Sequence, residues 1–380
     1  MLAAFYFVFF VAFGALYPLM PLFLRERGMS GTEIGTIVSI GPVMTVLFQP
    51  IWGMICDRYQ AQRILLVVTL LLAAVFAAVY PFANSYWLFF LLFAGMAAFH
   101  SSGVPIIDSI SLSYVQRHGG DYGSLRLWGA IGFAVASWGA GKLSDTVSLA
   151  SIFYIYAGAY VVCVLIARAL PQEGNRMGVN LTAGLKKLFR IPRFVMFLFG
   201  TFLIFGTIQA NNSYYGIFFT AIGGTVAGVG LSFLIAAGSE APVMRFAGRL
   251  VARFGLIPML ATAGAISAAR WLYYGMGPTP GWVMVLLFVQ GLSVGLYLPA
   301  AAQFVRDTAP EEIRVTALGI YTAIGNGLGT MAGSVVGGIL LDRYGIFHTY
   351  KAFGIASVVG VLAMLSLPFL ADGKEKTAAS

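Results

Sequence analysis

Two opposite charges, Asp108 and Arg126, stand inside apolar stretches of the sequence, SSGVPIIDSISLSYV and DYGSLRLWGAIGFAVASWGAG. A charged side chain in hydrocarbon costs ~2.5–3.5 kcal/mol on insertion scales, so such residues survive where they pair or line a water-filled cavity. One short loop joins the two stretches, which places both residues at similar depth on adjacent antiparallel helices. We therefore predict an Asp108–Arg126 ion pair on a polar pathway, which a polar solute could break by competing for both partners. A static structural pair is the alternative interpretation.

A second set of charges lies in the C-terminal half and comprises Glu240, Arg245 and Arg270. Burial raises the pKa of a carboxyl group and an approaching arginine lowers it, so Glu240 could load and release a proton between two conformations. Arg245 is nearer a helix end and could instead extend to the membrane interface. Glu240 is the predicted proton carrier.

These charges must be held by membrane-spanning helices. Of the 380 residues, 59% are hydrophobic and 10% are charged, and the mean hydropathy is +0.87; soluble domains carry roughly 25% charged residues. Windows of about 20 apolar residues predict about twelve spans and an all-α integral membrane fold. The predicted spans are 2–24, 34–56, 64–83, 86–115, 124–144, 148–170, 193–221, 226–252, 256–276, 281–306, 314–340 and 345–371.

The distribution of the 23 lysines and arginines predicts the orientation. Most of them fall in the segments that place both termini in the cytoplasm under the positive-inside rule. The N-terminal stretch lacks the basic start and cleavage site of a secretory signal and is predicted to be the first span. The net charge of +9 is therefore a topology signal, and a nucleic-acid partner is not expected.

The sequence gives no indication of an enzyme. It has no cluster with metal-ligand spacing, no phosphate-binding GxxxxGK[ST] loop and no set of catalytic residues at one interface. We therefore expect no cofactor, no metal and no transport driven directly by ATP. Cys56 and Cys163 fall in different predicted spans, and nothing indicates a disulfide between them.

The chain repeats itself at about half its length. Gly53-x-x-x-Asp57-Arg58-Tyr59 recurs loosely as Gly248 followed by Arg253-Phe254, and Gly129-x-x-Gly132 recurs as Asn326-x-x-Gly329. The repeats predict two pseudo-symmetric six-helix bundles. The predicted parts are an N-terminal bundle at 1–170, a cytoplasmic linker with a possible amphipathic helix at 171–192, a C-terminal bundle at 193–371 and a cytoplasmic tail at 372–380.

The turn GMICDRYQAQR between the second and third spans resembles the signature loop of the major facilitator superfamily. Gly53, Asp57, Arg58 and Arg63 match its pattern, although Tyr59 stands where the family has a glycine. The resemblance implies a conformational gate, in which Asp57 faces a helix N-terminus or a neighbouring arginine and latches the cytoplasmic side. An interfacial pair needed only for insertion is the alternative.

Within that superfamily, PIIDSISLSYVQRHGGDYGSLRLWGAIGF resembles the phenylpropionate-permease-like group and, more distantly, the lactose permease. The matching pattern is Asp108, Tyr122 fourteen positions later and Arg126 four further on. The resemblance implies sugar binding by Asp108 and Arg126, stacking of the sugar on Phe133, and proton coupling through Arg270. The tenth span, VQGLSVGLYLPAAAQF, lacks the histidine and glutamate that take part in proton handling in the lactose permease.

The hypothesis is a secondary transporter that works by alternating access. We expect proton-coupled symport of a small organic solute, either a sugar or an aromatic acid; a proton-coupled exporter of sugars or drugs is the alternative. The expected protein is a monomer in the lipid bilayer of the cytoplasmic membrane. The predicted solute-binding residues are Asp108, Arg126, Phe133, Asn211, Asn212, Tyr215, Gln290 and Tyr297, and the predicted proton-coupling residues are Asp108, Glu240 and Arg270.

Overall fold

The fold is built of helices whose bounds follow the apolar windows of the sequence. A computed structural model describes residues 1–59, 61–119, 121–170, 188–310 and 313–370, without the side chains of 57, 315 and 316. Most of the predicted linker, and all of the predicted tail, lie outside the described residues. In the described part, nine helical segments are long and apolar enough to cross a membrane.

Each of the twelve predicted spans coincides with a helix or with two consecutive helices. In the first half these are α1 (Leu2–Leu16), α2 (Met20–Glu26), α3 (Gly31–Tyr59), α4 (Gln62–Val79), α5 (Tyr86–His100), α6 (Gly103–His118), α7 (Tyr122–Thr146) and α8 (Ser151–Ala167). In the second half they are α9 (Pro192–Ala221), α10 (Val226–Phe254), α11 (Leu256–Tyr274), α12 (Pro280–Thr308), α13 (Arg314–Thr322), α14 (Thr330–Tyr344) and α15 (Ile346–Ser366).

Three spans are interrupted, which the apolar windows did not predict. The first span breaks between α1 and α2, and the fourth breaks at Ser101 and Ser102 between α5 and α6. In the eleventh span a π-helical turn, Ala323–Gly329, joins α13 to α14. Non-helical or widened backbone is tolerated at membrane depth only where protein or trapped water satisfies it. At these three interruptions the backbone N–H and C=O groups must therefore bond to neighbouring protein groups or to water.

The chain groups into two compact units. One comprises Met1–Gly178 with Ser213–Leu234, and the other comprises Val179–Asn212 with Ile235–Ser380. Helices α9 and α10 each contribute residues to both units. The predicted bundles at 1–170 and 193–371 remain a prediction from the sequence repeat.

Small residues bring the helices together inside each unit. In the first unit, a Cβ atom at Gly132 of α7 would meet the backbone of Phe7 in α1. In the second unit, a Cβ atom at Gly329 would meet the backbone of Gly206 in α9. Close approach at small residues is the usual basis of helix association in membranes. Gly132 and Gly329 are matched to each other in the sequence repeat. Equivalent positions of the repeat therefore make the same kind of close helix contact in the two units.

The other sequence repeat also has a structural counterpart. The guanidinium group of Arg58 lies 5.7 Å from the ring centroid of Tyr59 at the end of α3. The guanidinium group of Arg253 lies 5.3 Å from the ring centroid of Phe254 at the end of α10. Each arginine therefore covers the aromatic ring that follows it, at the end of α3 in the first case and of α10 in the second.

Candidate functional site

A cluster of three polar side chains lies in the first unit, on α1, α6 and α7. One oxygen of Asp108, Oδ1, accepts a hydrogen bond from the Tyr6 hydroxyl at 2.5 Å and one from Arg126 at 3.0 Å. The exposed fractions of the Asp108 and Arg126 side chains are 25% and 39%. The predicted ion pair is therefore present and remains accessible, so a solute could compete for either partner.

Local structure fixes the position of Arg126. Asp121 caps α7 by accepting hydrogen bonds from the backbone N–H groups of Gly123 and Ser124, at 3.1 and 2.9 Å. A cap of this kind holds the first turn of a helix. The Arg126 guanidinium then lies 5.1 Å from the ring centroid of Phe10 and 5.7 Å from that of Tyr6. Aromatic faces attract a cation at such distances, so Arg126 is oriented by α1 as well as by Asp108.

Phe133 lies seven residues after Arg126 on α7, which is about two helical turns, so both residues share one face of that helix. Its ring centroid is 5.9 Å from that of Phe13 and 6.4 Å from that of Phe233. Phe133 is partly exposed. The structure thus places a partly exposed aromatic ring on the same side of α7 as Arg126.

In the second unit, Gln290 bridges the two predicted proton-coupling residues. Arg270, which is 4% exposed, donates a hydrogen bond to Gln290 Oε1 at 2.8 Å. Gln290 Nε2 in turn donates to Glu240 Oε1 at 3.3 Å. Helices α10, α11 and α12 each supply one member of this chain. Gln290 was predicted as a solute ligand, and here it connects a carboxylate to a guanidinium.

Three predicted solute ligands are buried and already hydrogen-bonded within their units. Asn211 accepts from the Tyr350 hydroxyl at 2.8 Å. The Tyr215 hydroxyl donates to Ser232 at 2.7 Å, and the Tyr297 hydroxyl donates to Thr201 at 2.9 Å. Their exposed fractions are 4%, 2% and 0% for Asn211, Tyr215 and Tyr297. In this conformation a solute could reach these polar atoms only after the surrounding side chains moved, and their part in solute binding stays a prediction.

Asn212 differs from these three because it is partly exposed. Its Nδ2 atom donates to Gln209 Oε1 at 3.4 Å, and Gln209 donates to Asn326 Oδ1 at 3.2 Å. Three amides from α9 and the π-helical turn therefore form a connected polar row.

The predicted gate residues are placed at the junction of α3 and α4. Gly53 lies in α3 with open space around it, and Arg58 covers Tyr59 as described above. Arg63 is partly exposed in the first turn of α4. The side chain of Asp57 lies outside the described side chains, so its part in a gate stays a prediction.

Sequence reasoning missed Tyr6 and the partnership of Gln209 with Asn326. Tyr6 lies in AAFYFVFFVAF, an apolar segment rich in phenylalanine, where a tyrosine does not stand out as a polar residue. Its hydroxyl was the available signal, because a buried tyrosine usually finds a hydrogen-bond partner. Gln209 and Asn326 were visible as amides inside apolar spans, although nothing in the sequence paired them.

The fold and the two clusters of polar side chains define the class of protein. Its described part has nine helical segments that are long and apolar enough to cross a membrane. With an accessible ion pair and a second carboxylate–guanidinium chain inside such helices, it is a multi-pass membrane transporter.

Comparisons with known proteins identify the family. The profile of the MFS_1 like family matches residues 1–352. The maltose permease of Geobacillus stearothermophilus is 44% identical over 365 residues, which cover 96% of this chain and 93% of that protein. The raffinose permease of Escherichia coli is 25% identical over 387 residues, covering 96% and 91%. The crystal structure of the nucleoside transporter NupG superimposes with a TM-score of 0.87 at 19% identity, covering 96% of this chain and 98% of that one.

The chain therefore belongs to the MFS_1 like family and is a transporter of the major facilitator superfamily. The resemblance inferred from the sequence is confirmed, and so is the expected all-helical membrane fold.

Proposed function

We propose that this transporter carries a neutral, polyhydroxylated solute of the oligosaccharide class into the cell together with a proton, by alternating access. The observation that carries the proposal is the accessible Asp108–Arg126 pair, with Tyr6 on the same carboxylate oxygen. A sugar hydroxyl both donates and accepts hydrogen bonds. A hydroxyl group can therefore donate a hydrogen bond to Asp108 and accept one from Arg126. It can take the place of either residue as the hydrogen-bond partner of the other.

The balance of charges favours a neutral solute over an aromatic acid. Asp108 neutralises Arg126 directly, and Glu240 is connected to Arg270 through Gln290. A carboxylate entering the first cluster would face Asp108 and would need a further cation to compensate. Two relatives whose names state a sugar, the maltose and raffinose permeases, support the same class.

Glu240 is the proposed proton-carrying group. It is partly exposed, and its carboxylate holds the far end of the hydrogen-bonded chain from Arg270. When Glu240 takes up a proton, the Gln290 amide loses a charged acceptor and the connection to Arg270 weakens. Protonation would thereby favour one arrangement of α10, α11 and α12 over another.

We place the protein in the cytoplasmic membrane as a monomer, with both termini in the cytoplasm and with the lipid bilayer and the solute as its partners. The excess of lysine and arginine in the connecting segments on one side supports this orientation. Gly53, Asp57, Arg58 and Arg63 are the proposed gate on the cytoplasmic side.

The proposal is tested by proton flux in proteoliposomes. Purified wild-type protein and Asp108→Asn are reconstituted, and external pH is followed after addition of maltose, raffinose, uridine or 3-phenylpropionate. We expect external alkalinisation with a sugar for the wild type and none for Asp108→Asn. Proton movement only with 3-phenylpropionate would overturn the substrate class. Uptake of radiolabelled maltose without proton movement would overturn the coupling.

The same vesicles determine the direction of transport. An inwardly directed proton gradient should drive accumulation of radiolabelled maltose, whereas an exporter would accumulate it when the lumen is made acidic. Accumulation only in the second arrangement would contradict import.

A further inference from the structure

The π-helical turn Ala323–Gly329 lies within the eleventh span. Such turns are rare and are found frequently at functional sites. Asn326 lies at the centre of this turn and is exposed. An exposed amide within a span is stable in contact with water and costly in contact with hydrocarbon. We infer that this face of the second unit meets water.

Gln209 of α9 shares that face. Its Nε2 atom donates to Asn326 Oδ1 at 3.2 Å, and its Oε1 atom accepts from Asn212 at 3.4 Å. A primary amide has two N–H donors and an acceptor oxygen. These contacts use only part of the hydrogen-bonding capacity of Gln209 and Asn326, so both amides can also bind a solute.

The pair occupies the place in the second unit that Phe10 and Gly129 occupy in the first, about one helical turn from Arg126. Gly132 packs on the backbone of Phe7, and Gly329 packs on that of Gly206, which aligns α7 with the eleventh span and α1 with α9. Three residues further along α1, Phe10 lies against Gly129 and stacks on Arg126.

The same register in the second unit leads from Gly206 to Gln209, three residues along α9, and from Gly329 back to Asn326. Two amides thus stand in the second unit at the positions that correspond to Phe10 and Gly129, the residues beside Arg126 in the first unit.

We propose that Gln209 and Asn326 are specificity-determining residues, which recognise hydroxyl groups of a neutral sugar. The inference rests on the proposed function and adds to it a second contact region that carries no charge. A hydroxyl group matches the donor and the acceptor of an amide, whereas a carboxylate can use only the donors. Sites that hydrogen-bond a hydroxyl also discriminate against analogues that lack it.

The test combines changes in the protein with changes in the sugar. Inhibition constants against radiolabelled maltose uptake are measured for maltose and for a series of its monodeoxy analogues, with the wild type, Asn326→Ala and Gln209→Ala. Wild type should bind at least one analogue about 10-fold more weakly than maltose, since a hydrogen-bonding site is left unpaired. In Asn326→Ala that difference should fall to about 2-fold or less, because the partner of the missing hydroxyl is already gone.

A matched control comes from the neighbouring turn. Thr322 is exposed on the same segment, and among the described residues its hydroxyl bonds the carbonyl of Leu318 in its own helix, at 2.9 Å. Thr322→Ala should retain the wild-type pattern of inhibition constants. If Asn326→Ala fails to yield a monodisperse protein, Asn326→Asp keeps the shape and the acceptor while removing the donor, and it should lose the same discrimination.

Two outcomes have different meanings. If every variant shows the wild-type differences among the deoxy analogues, the role of Gln209 and Asn326 is overturned and the proposed function stands. If wild type neither transports maltose nor binds the analogues, the proposed function fails, and the inference fails with it.

Discussion

The hydroxyl of Tyr6 offers a sharp test of the charged cluster, because Tyr6→Phe removes one oxygen atom and little else. The Tyr6 ring is fully buried, and the phenylalanine ring would keep its packing and its place beside Arg126. The 2.5 Å hydrogen bond to Asp108 is lost.

The expected magnitude follows from the surroundings of Asp108. A hydrogen bond to a charged group is worth about 1.5–3 kcal/mol. Asp108 keeps its bond to Arg126, and its side chain is 25% exposed, so water can take part of the vacated position. We therefore expect a loss at or near the lower end of that range, about 1–2 kcal/mol, which corresponds to about a 5- to 30-fold rise in KM.

The assay is uptake of radiolabelled maltose into proteoliposomes, with KM and Vmax measured separately. Tyr154→Phe is the control, because Tyr154 is 50% exposed on α8 and the change is chemically identical. The double variant Tyr6→Phe/Asp108→Ala should bind no more weakly than Asp108→Ala alone, since Asp108→Ala already removes the oxygen that accepts from Tyr6. If KM of Tyr6→Phe stays within twofold of that of the control, Tyr6 does not position Asp108 and the reasoning is refuted.

Three further predictions concern the charges and the packing. Exchanging the pair, as Asp108→Arg with Arg126→Asp, should restore folded protein that either single reversal loses, because a single reversal sets two like charges side by side. Both side chains are partly exposed, so the cost is below the about 3–5 kcal/mol of a fully buried unpaired charge; yields on size exclusion decide this. Glu240→Gln should abolish accumulation of maltose against its gradient while maltose counterflow continues, and unchanged accumulation would exclude Glu240 as the proton carrier. Gly132→Leu should lower the detergent melting temperature by forcing α7 away from the backbone of α1, at about 1–3 kcal/mol. Gly139→Leu, on the same helix with open space around it, should not, and equal effects would contradict the packing argument.

The spans themselves could be predicted because insertion into a bilayer depends on hydropathy summed over a window of residues. The predicted span 193–221 is observed as Pro192–Ala221, and 226–252 as Val226–Phe254. The family could be recognised from the GMICDRYQAQR turn and the Asp108–Arg126 spacing, and the profile match confirms it.

Individual contacts could not be predicted in the same way. Asn211 and Tyr297 are polar residues in spans, and polarity alone cannot separate a side chain that faces water from one bonded to a buried neighbour. The rotation of each helix about its own axis makes that difference, and packing against other helices sets the rotation.

The sequence by itself therefore determined that this protein is a bundle of membrane-spanning helices, and that Asp108 and Arg126 must find partners, because hydrocarbon penalises unpaired charge wherever it lies. Only the tertiary structure decided that Tyr6 shares Asp108, that Gln290 joins Arg270 to Glu240, and that a π-helical turn presents Asn326 to Gln209. These contacts join residues from 20 to more than 100 positions apart in the chain. They depend on close approach at residues such as Gly132 and Gly329 and on the resulting register between helices. Hydropathy constrains how many helices cross the membrane, whereas the shapes of their surfaces determine which side chains meet.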